Sequence, residues 1–144
     1  MTTPLPSGDS CIRAMRDSLA DAHMSPDQID YINAHASSTQ LNDSAETMSI
    51  KTVFGERAYK IPVSGTKGYT AHPLGATGAM EACICALALD RQWVPPTINH
   101  QNPDPACDLD VVPNHGRAAN LDYIMSNSFG FGGINASIVL GKVR

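Results

Sequence analysis

Tyr123-Ile-Met-Ser-Asn-Ser-Phe-Gly-Phe-Gly-Gly-Ile-Asn-Ala-Ser-Ile-Val-Leu140 decides the fold. Tyr123 to Ser128 and Ile134 to Leu140 read as two strands, and the glycine-rich turn between them, Phe129-Gly-Phe-Gly-Gly133, lets the backbone approach a ligand closely. The chain therefore closes with a hairpin.

Upstream of the hairpin, helical and extended patterns alternate. Between Ser10 and Ala22 the apolar positions Ile12, Met15, Leu19 and Ala22 recur at helical spacing, and Ser25-Pro26 stops the helix. Ile29 to Ala34 is short, apolar and β-leaning, and delivers the polar loop His35-Ala-Ser-Ser-Thr39. Asn42 or Asp43 is the expected cap of a second helix, with Glu46 in its first turn, Met48 and Val53 among its apolar residues, and Gly55 closing it. Ile61-Pro-Val63 reads as a strand that Pro62 confines to an edge or a strand's beginning. Gly75 to Leu89, Ala/Leu/Cys-rich with Glu81 almost its only charge, predicts a helix buried on most sides and central to the fold. Five prolines between Trp93 and Arg117 forbid regular structure over most of that connection. Strands and helices in alternation, closed by a hairpin, predict an α/β fold with a mixed β-sheet flanked by helices.

The 144 residues suffice for one domain around one core, so residues 1–144 are read as a single unit. At 42% hydrophobic and 17% charged the composition is that of an ordinary soluble protein, and no window approaches the roughly 20 apolar residues of a membrane span. Residues 1–8 carry neither a basic nor an apolar segment of a secretory signal, and a cytoplasmic location is the expectation. A formal net charge of -4 without a basic stripe argues against nucleic acid as partner. Cys11, Cys83, Cys85 and Cys107 include no C-x-x-C pair, so no metal site is expected and the thiols are read as reduced.

Three loops follow strands and carry polar or glycine residues that a core does not need: around His35, from Lys67 to His72, and from Phe129 to Gly133. In open α/β sheets, ligands gather beyond the carboxyl ends of strands. Two neutral imidazoles meeting there would hold one developing oxyanion while glycine-flanked N–H groups hold another, which suits acyl transfer or enolate formation from a thioester. Glu81, a carboxylate on an apolar helix, needs a partner if buried, and Lys67 is the candidate. His23, His100 and His115 read as surface or satisfied histidines; Lys67 alone would be a solvated charge and Phe131 alone a core residue. The run from Gly65 to Gly78 matches neither G-x-x-x-x-G-K-[ST] nor G-x-G-x-x-G after a strand, so nucleotide binding is not indicated.

Tyr31-Ile-Asn-Ala-His35, Leu41-Asn-Asp43, Val63-Ser-Gly-Thr-Lys67, Ala71-His-Pro-Leu-Gly-Ala-Thr-Gly78, Pro95-Pro-Thr-Ile-Asn99, Asn102-Pro-Asp-Pro105 and Ser126-Asn-Ser-Phe-Gly-Phe-Gly-Gly133 follow one another in an order that resembles the β-ketoacyl-acyl-carrier-protein synthases of the thiolase superfamily. The likeness is to the C-terminal half of the elongating enzymes of type II fatty acid synthesis, and it implies a thiolase-like half-domain. It further implies that His35 and His72 hold the thioester carbonyl of a malonyl extender and stabilise its enolate through their Nε2 atoms. Lys67 and Glu81 would shape the electrostatics as a pair, and Phe131 would gate the site and lend a backbone N–H. Ser37 and Thr39 would hold the phosphopantetheine arm, with Phe129, Gly130 and Gly132 lining the substrate site. The implied reaction is a decarboxylative Claisen condensation that needs no metal or organic cofactor, the phosphopantetheine belonging to an acyl carrier protein partner; the full enzyme would be a homodimer.

The family's nucleophilic cysteine lies on an Asp-Thr-Ala-Cys-type loop in the N-terminal half, and none of the four cysteines here sits in such a motif. The chain is therefore read as a fragment or one piece of a split enzyme, inactive alone, whose missing half would leave apolar surface exposed. A thiolase is the nearest enzymatic alternative, disfavoured because thiolases carry a cysteine in the last glycine-rich turn. A non-catalytic chain-length factor or carrier-docking subunit is another, disfavoured because His35, Lys67, His72 and Glu81 are all present.

Overall fold

Tyr31 stands opposite Ile124 and Ile32 opposite Met125 in a parallel pairing, and this register organises the two cores. In a computed structural model of the chain, which describes residues 7–143, strand β1 (Tyr31–Asn33) lies between β2 (Val63–Ser64) and β5 (Tyr123–Phe129), parallel to both. The final strand β6 (Asn135–Gly141) runs antiparallel to β5, so the four-stranded sheet has the order β2-β1-β5-β6 and is mixed. The opening segment read above, residues 1–6, lies outside the described residues.

Because side chains alternate along a strand, neighbours in β1 and β5 enter different cores. Ile32 and Met125 join Met15 and Leu19 of α1 (Asp9–Asp21) and Ile50 and Phe54 of α2 (Asn42–Phe54) on one face. Tyr31 and Ile124 join Cys85, Ala88 and Leu89 of α4 (Thr77–Arg91) on the other. Central strands covered on both faces suit parallel pairing, which is rarely left open to water.

The element order and mixed sheet agree with the sequence reading, with local differences. The cap of α2 is Leu41 without a side-chain bond; Asn42 and Asp43 are its first residues. The backbone N–H of Asn42 is taken by Thr39 Oγ1 (3.3 Å), and Asp43 Oδ1 accepts from Ser38 N–H (3.1 Å), so both serve the preceding loop. Glu46 falls beyond the first turn of α2, whose acidic residue is Asp43, and Met48 lies exposed while Ile50 and Phe54 face the core. Helix α4 is not buried on most sides: Thr77, Glu81, Cys85, Ala88 and Leu89 form one buried stripe, and Met80, Cys83 and Leu87 face outward because nothing among the described residues covers them. Two short elements escaped the sequence reading altogether. These are a single helical turn, α3 (Lys67–Thr70), and a two-stranded antiparallel sheet of β3 (Trp93–Val94) and β4 (Arg117–Ala118) that ties together the ends of the proline-rich connection.

Pro62 does precede an edge strand. The N–H of Val63 in β2 donates to Asp110 O (2.8 Å), so the connection covers that edge. No described helix is long and apolar enough to cross a membrane.

Candidate active site

Since β1, β2 and β5 are parallel, their carboxyl ends lie at one rim, and each delivers one of the loops singled out in the sequence. β1 leads through Ala34 to His35, β2 through Gly65 and Thr66 to Lys67, and β5 ends in Phe129. The loops touch closely: a Cβ on Gly65 would stand 2.6 Å from the Ala36 Cβ, so glycine is the residue that lets the β2 loop pass behind the histidine turn.

His35 is buried, whereas His72 is exposed at the mouth. Their rings meet edge to face with centroids 5.5 Å apart and planes at 80°, and the Phe129 ring lies 5.8 Å from that of His35. An alanine with left-handed backbone flanks each imidazole: Ala36, φ 40°, after the first, and Ala71, φ 59°, before the second. Such φ values cost a non-glycine residue about 1–3 kcal/mol and persist only where surrounding bonds hold them.

Those bonds are visible at His35. Its N–H donates to Glu46 Oε1 (2.8 Å) and that of Ala36 to Glu46 Oε2 (2.9 Å). The carbonyl of His35 accepts from Lys67 Nζ, which also lies 2.5 Å from Glu81 Oε1. A carboxylate thus grips one end of the His35 residue and an ammonium the other. His72 Nδ1 is bonded to Thr77 Oγ1 at 3.0 Å, leaving Nε2 as the nitrogen that can face a ligand. At His35 the buried Nδ1 has no partner among the described residues.

Burial, reinforced by Lys67 and His72, lowers the His35 pKa to about 4. Burial and Lys67 also lower that of His72. Both imidazoles are therefore neutral near pH 7, able to give an N–H bond rather than a proton. Burial raises the Glu81 carboxyl while Lys67 pulls it back, and burial likewise raises Glu46 against its N–H donors.

Of the remaining candidates, Phe129 lies in the cluster, while Phe131 is 73% exposed on a turn that Gly132 (φ 75°) and Gly133 (φ 78°) bend outward. Gly130 N–H is taken by Ile134 O (2.9 Å). Ser37 Oγ and Thr39 Oγ1 lie 3.2 Å apart on the open side of the His35 loop. The sequence reading missed three residues: Thr77, Glu46 and Asn127, the last buried with its Nδ2 3.2 Å from Glu46 Oε1. All lay inside or beside quoted blocks, but nothing in their spacing marks them as partners of histidine loops. No described cysteine is an activated nucleophile by environment: burial lifts Cys11 to about 11 and Cys85 to about 12 and raises Cys107, and Cys83 lies on the outer face of α4. No three His, Cys, Asp or Glu side chains among the described residues group to hold a metal ion. A cavity of about 400 Å³ along His100 to Pro113 contains neither histidine of the pair.

Residues 1–101 match the model of the family described as the C-terminal domain of beta-ketoacyl synthases. The chain belongs to that family. Among curated relatives, a 3-oxoacyl-[acyl-carrier-protein] synthase 2 of Coxiella burnetii is 50% identical over 143 residues, covering 99% of this chain and 34% of that protein. Its counterpart in Synechocystis is 47% identical over 144 residues, 100% of this chain and 35% of that protein. The β-ketoacyl synthase domain here thus spans about a third of the length of those relatives. Among solved structures, a beta-ketoacyl synthase from Burkholderia phymatum superposes with a TM-score of 0.92 at 41% identity, covering all of this chain and 35% of that one. A type II polyketide ketosynthase solved in complex with its acyl-carrier protein and bound to the hexaketide gives 0.97 at 42% identity, with the same coverage. The thiolase-like ketosynthase fold expected from the sequence is therefore the fold of this chain.

Proposed function

We propose that this chain is the part of a 3-oxoacyl-[acyl-carrier-protein] synthase that receives the malonyl extender and stabilises its enolate during decarboxylative condensation. The observation that carries the reading is the meeting of two neutral imidazoles, His35 and His72, at the carboxyl ends of parallel strands. As the malonyl carboxylate leaves, the C–C bond breaks, carbon dioxide departs and its electron pair passes into the enolate, whose oxygen collects negative charge. Two N–H donors aimed at one point stabilise that charge without having to reorganise. The enolate carbon then attacks an acyl thioester, forming the new C–C bond and expelling the thiolate. That acyl group is carried on a cysteine outside this chain, in the portion of the enzyme the relatives hold and this chain does not.

Lys67 and Glu81 set the field behind His35, Phe131 gates the mouth, and Ser37 and Thr39 hold the phosphopantetheine arm of an acyl carrier protein. Phe129, Gly130 and Gly132 line the substrate path. The chemistry calls for no metal or organic cofactor beyond that arm, the outward face of α4 receives the remainder of the enzyme, and the whole is a homodimer acting in the cytoplasm.

A chimera tests this. The C-terminal third of the Coxiella relative is replaced by this chain and assayed with acyl- and malonyl-acyl carrier protein. The expected result is β-ketoacyl product and carbon dioxide, both lost with His72→Ala. A folded chimera that binds malonyl-carrier protein yet releases no carbon dioxide would overturn the reading.

A further inference from the structure

Asn127 belongs to β5, two residues before Phe129, and is fully buried. Its Oδ1 accepts from the Ser137 hydroxyl of β6 at 2.8 Å, and the Glu46 carboxylate on the other side, which only accepts, fixes the sense of the amide. The amide hydrogens then point away from β6, toward Glu46 Oε1 (3.2 Å) and Met15 Sδ (3.6 Å). Glu46 in turn takes the N–H groups of His35 and Ala36 and lies 3.5 Å from Asn42 Nδ2. The strained turn at Ala36 is thus reached from the last strand through three side chains.

We propose that Asn127, oriented by Ser137, is a positioning residue for His35, acting through the Glu46 carboxylate to hold the backbone turn that presents the imidazole.

The argument is one of satisfied charge. A fully buried carboxylate stays ionised only when enough donors surround it, and an ionised carboxylate grips two backbone N–H groups far better than a neutral acid. Asn127 is the side-chain donor that approaches the same oxygen as the His35 N–H. Removing it leaves that oxygen with one donor, favours protonation of Glu46, whose carboxyl burial already raises, and frees a turn whose φ is unfavourable by itself. Chain connectivity supplies no substitute, since Ala36 has no side chain that could pin itself.

The proposal rests on His35 being a working residue, but its test uses no turnover, so failure of the condensing reading would leave the result intact. The chain itself is labelled, and the His35 ring is titrated by NMR while exchange of the His35 and Ala36 amides is followed. The groups facing His35 are Lys67 on its carbonyl, His72 beside its ring and Glu46 on its N–H. With Asn127→Leu, both amides are expected to exchange at least tenfold faster and the His35 midpoint to move up from about 4 toward 6.5. Ser137→Ala is expected to move both in the same direction by less. Leu121→Ala, buried in the core on the other face, lowers stability while leaving the His35 titration in place. Unchanged His35 titration and amide exchange in folded Asn127→Leu would overturn the proposal; if that variant does not fold, unchanged values in Ser137→Ala do the same.

Discussion

The His35 N–H and carbonyl are held by opposite charges, Glu46 at 2.8 Å on the first and Lys67 on the second. A side chain is only as fixed as its backbone, and here two buried ionic groups fix that of His35 from both directions.

Stability should depend on pH through His35. Its folded pKa, about 4, lies below the ordinary 6.5, so between those values the unfolded chain binds more protons and folding weakens as pH falls. Glu46 and Glu81, raised by burial, act oppositely, because the folded state then holds their protons better and loses stability as pH rises through their range. The informative quantity is the difference between wild type and His35→Gln in urea midpoints from pH 7 to 4. Wild type should lose stability relative to the variant over that window, and a flat difference would mean that the imidazole does not resist charging.

Lys67→Met should cost roughly 3–5 kcal/mol, the usual penalty for stripping one partner from a buried pair. Both side chains are almost wholly enclosed, at 7% and 1% exposure. Lys67→Met with Glu81→Gln should recover part of that loss, since no buried charge is then unpaired. Urea denaturation of Lys67→Met, Glu81→Gln and the double variant measures the recovery; a double variant as destabilised as Lys67→Met alone would show that the Lys67 bond to His35 O, and not its pairing with Glu81, carries the cost.

Much of this was legible beforehand because it follows from local pattern. The helical spacing of Ile12, Met15 and Leu19, the constraint of Pro62 to an edge and the glycines of the final hairpin each state a local requirement, and each is met, whereas Ala22, the fourth member of that spacing, is the exposed cap just past the helix. The need of Glu81 for a cation was likewise readable, because a lone carboxylate on an apolar helix is costly. Glu46 was not readable: a carboxylate near the start of a helix is what the helix dipole favours anywhere, so its place just beyond the first turn, its burial and its bonds to the His35 loop left no trace in spacing. The α4 prediction failed for a different reason. Apolar composition all round a helix reports that something covers it, and cannot say whether the cover belongs to the same stretch of chain.

Gly65→Ala should be destabilising by about 1–3 kcal/mol, the range for forcing an atom into a packed site. The new methyl would meet the Ala36 Cβ at 2.6 Å, well inside contact distance. Backbone strain is not the cause, since the left-handed residues here are its neighbours across the gap and not Gly65 itself. Gly65→Ala combined with Ala36→Gly removes the clash and relieves the unfavourable φ, so it should regain most of the thermal midpoint. A double variant no better than Gly65→Ala would place the cost elsewhere than at this contact.

Self-association of the isolated chain is the last expectation. Met80, Cys83 and Leu87 recur at i, i+3 and i+7 along α4, which puts them on one outward stripe. Met80 and Leu87 are exposed, and Trp93 just beyond the helix is exposed too. Apolar surface removed from water is worth about 25 cal/mol per Å², so a contiguous stripe favours any complementary apolar surface it meets, including that of another copy. Sedimentation velocity across the micromolar range should show the average mass rising with concentration. Met80→Glu with Leu87→Glu should suppress that rise without lowering the thermal midpoint, because neither side chain contributes to the two buried cores. A wild-type chain that stays monomeric throughout would mean that the stripe is too small or too broken to drive association.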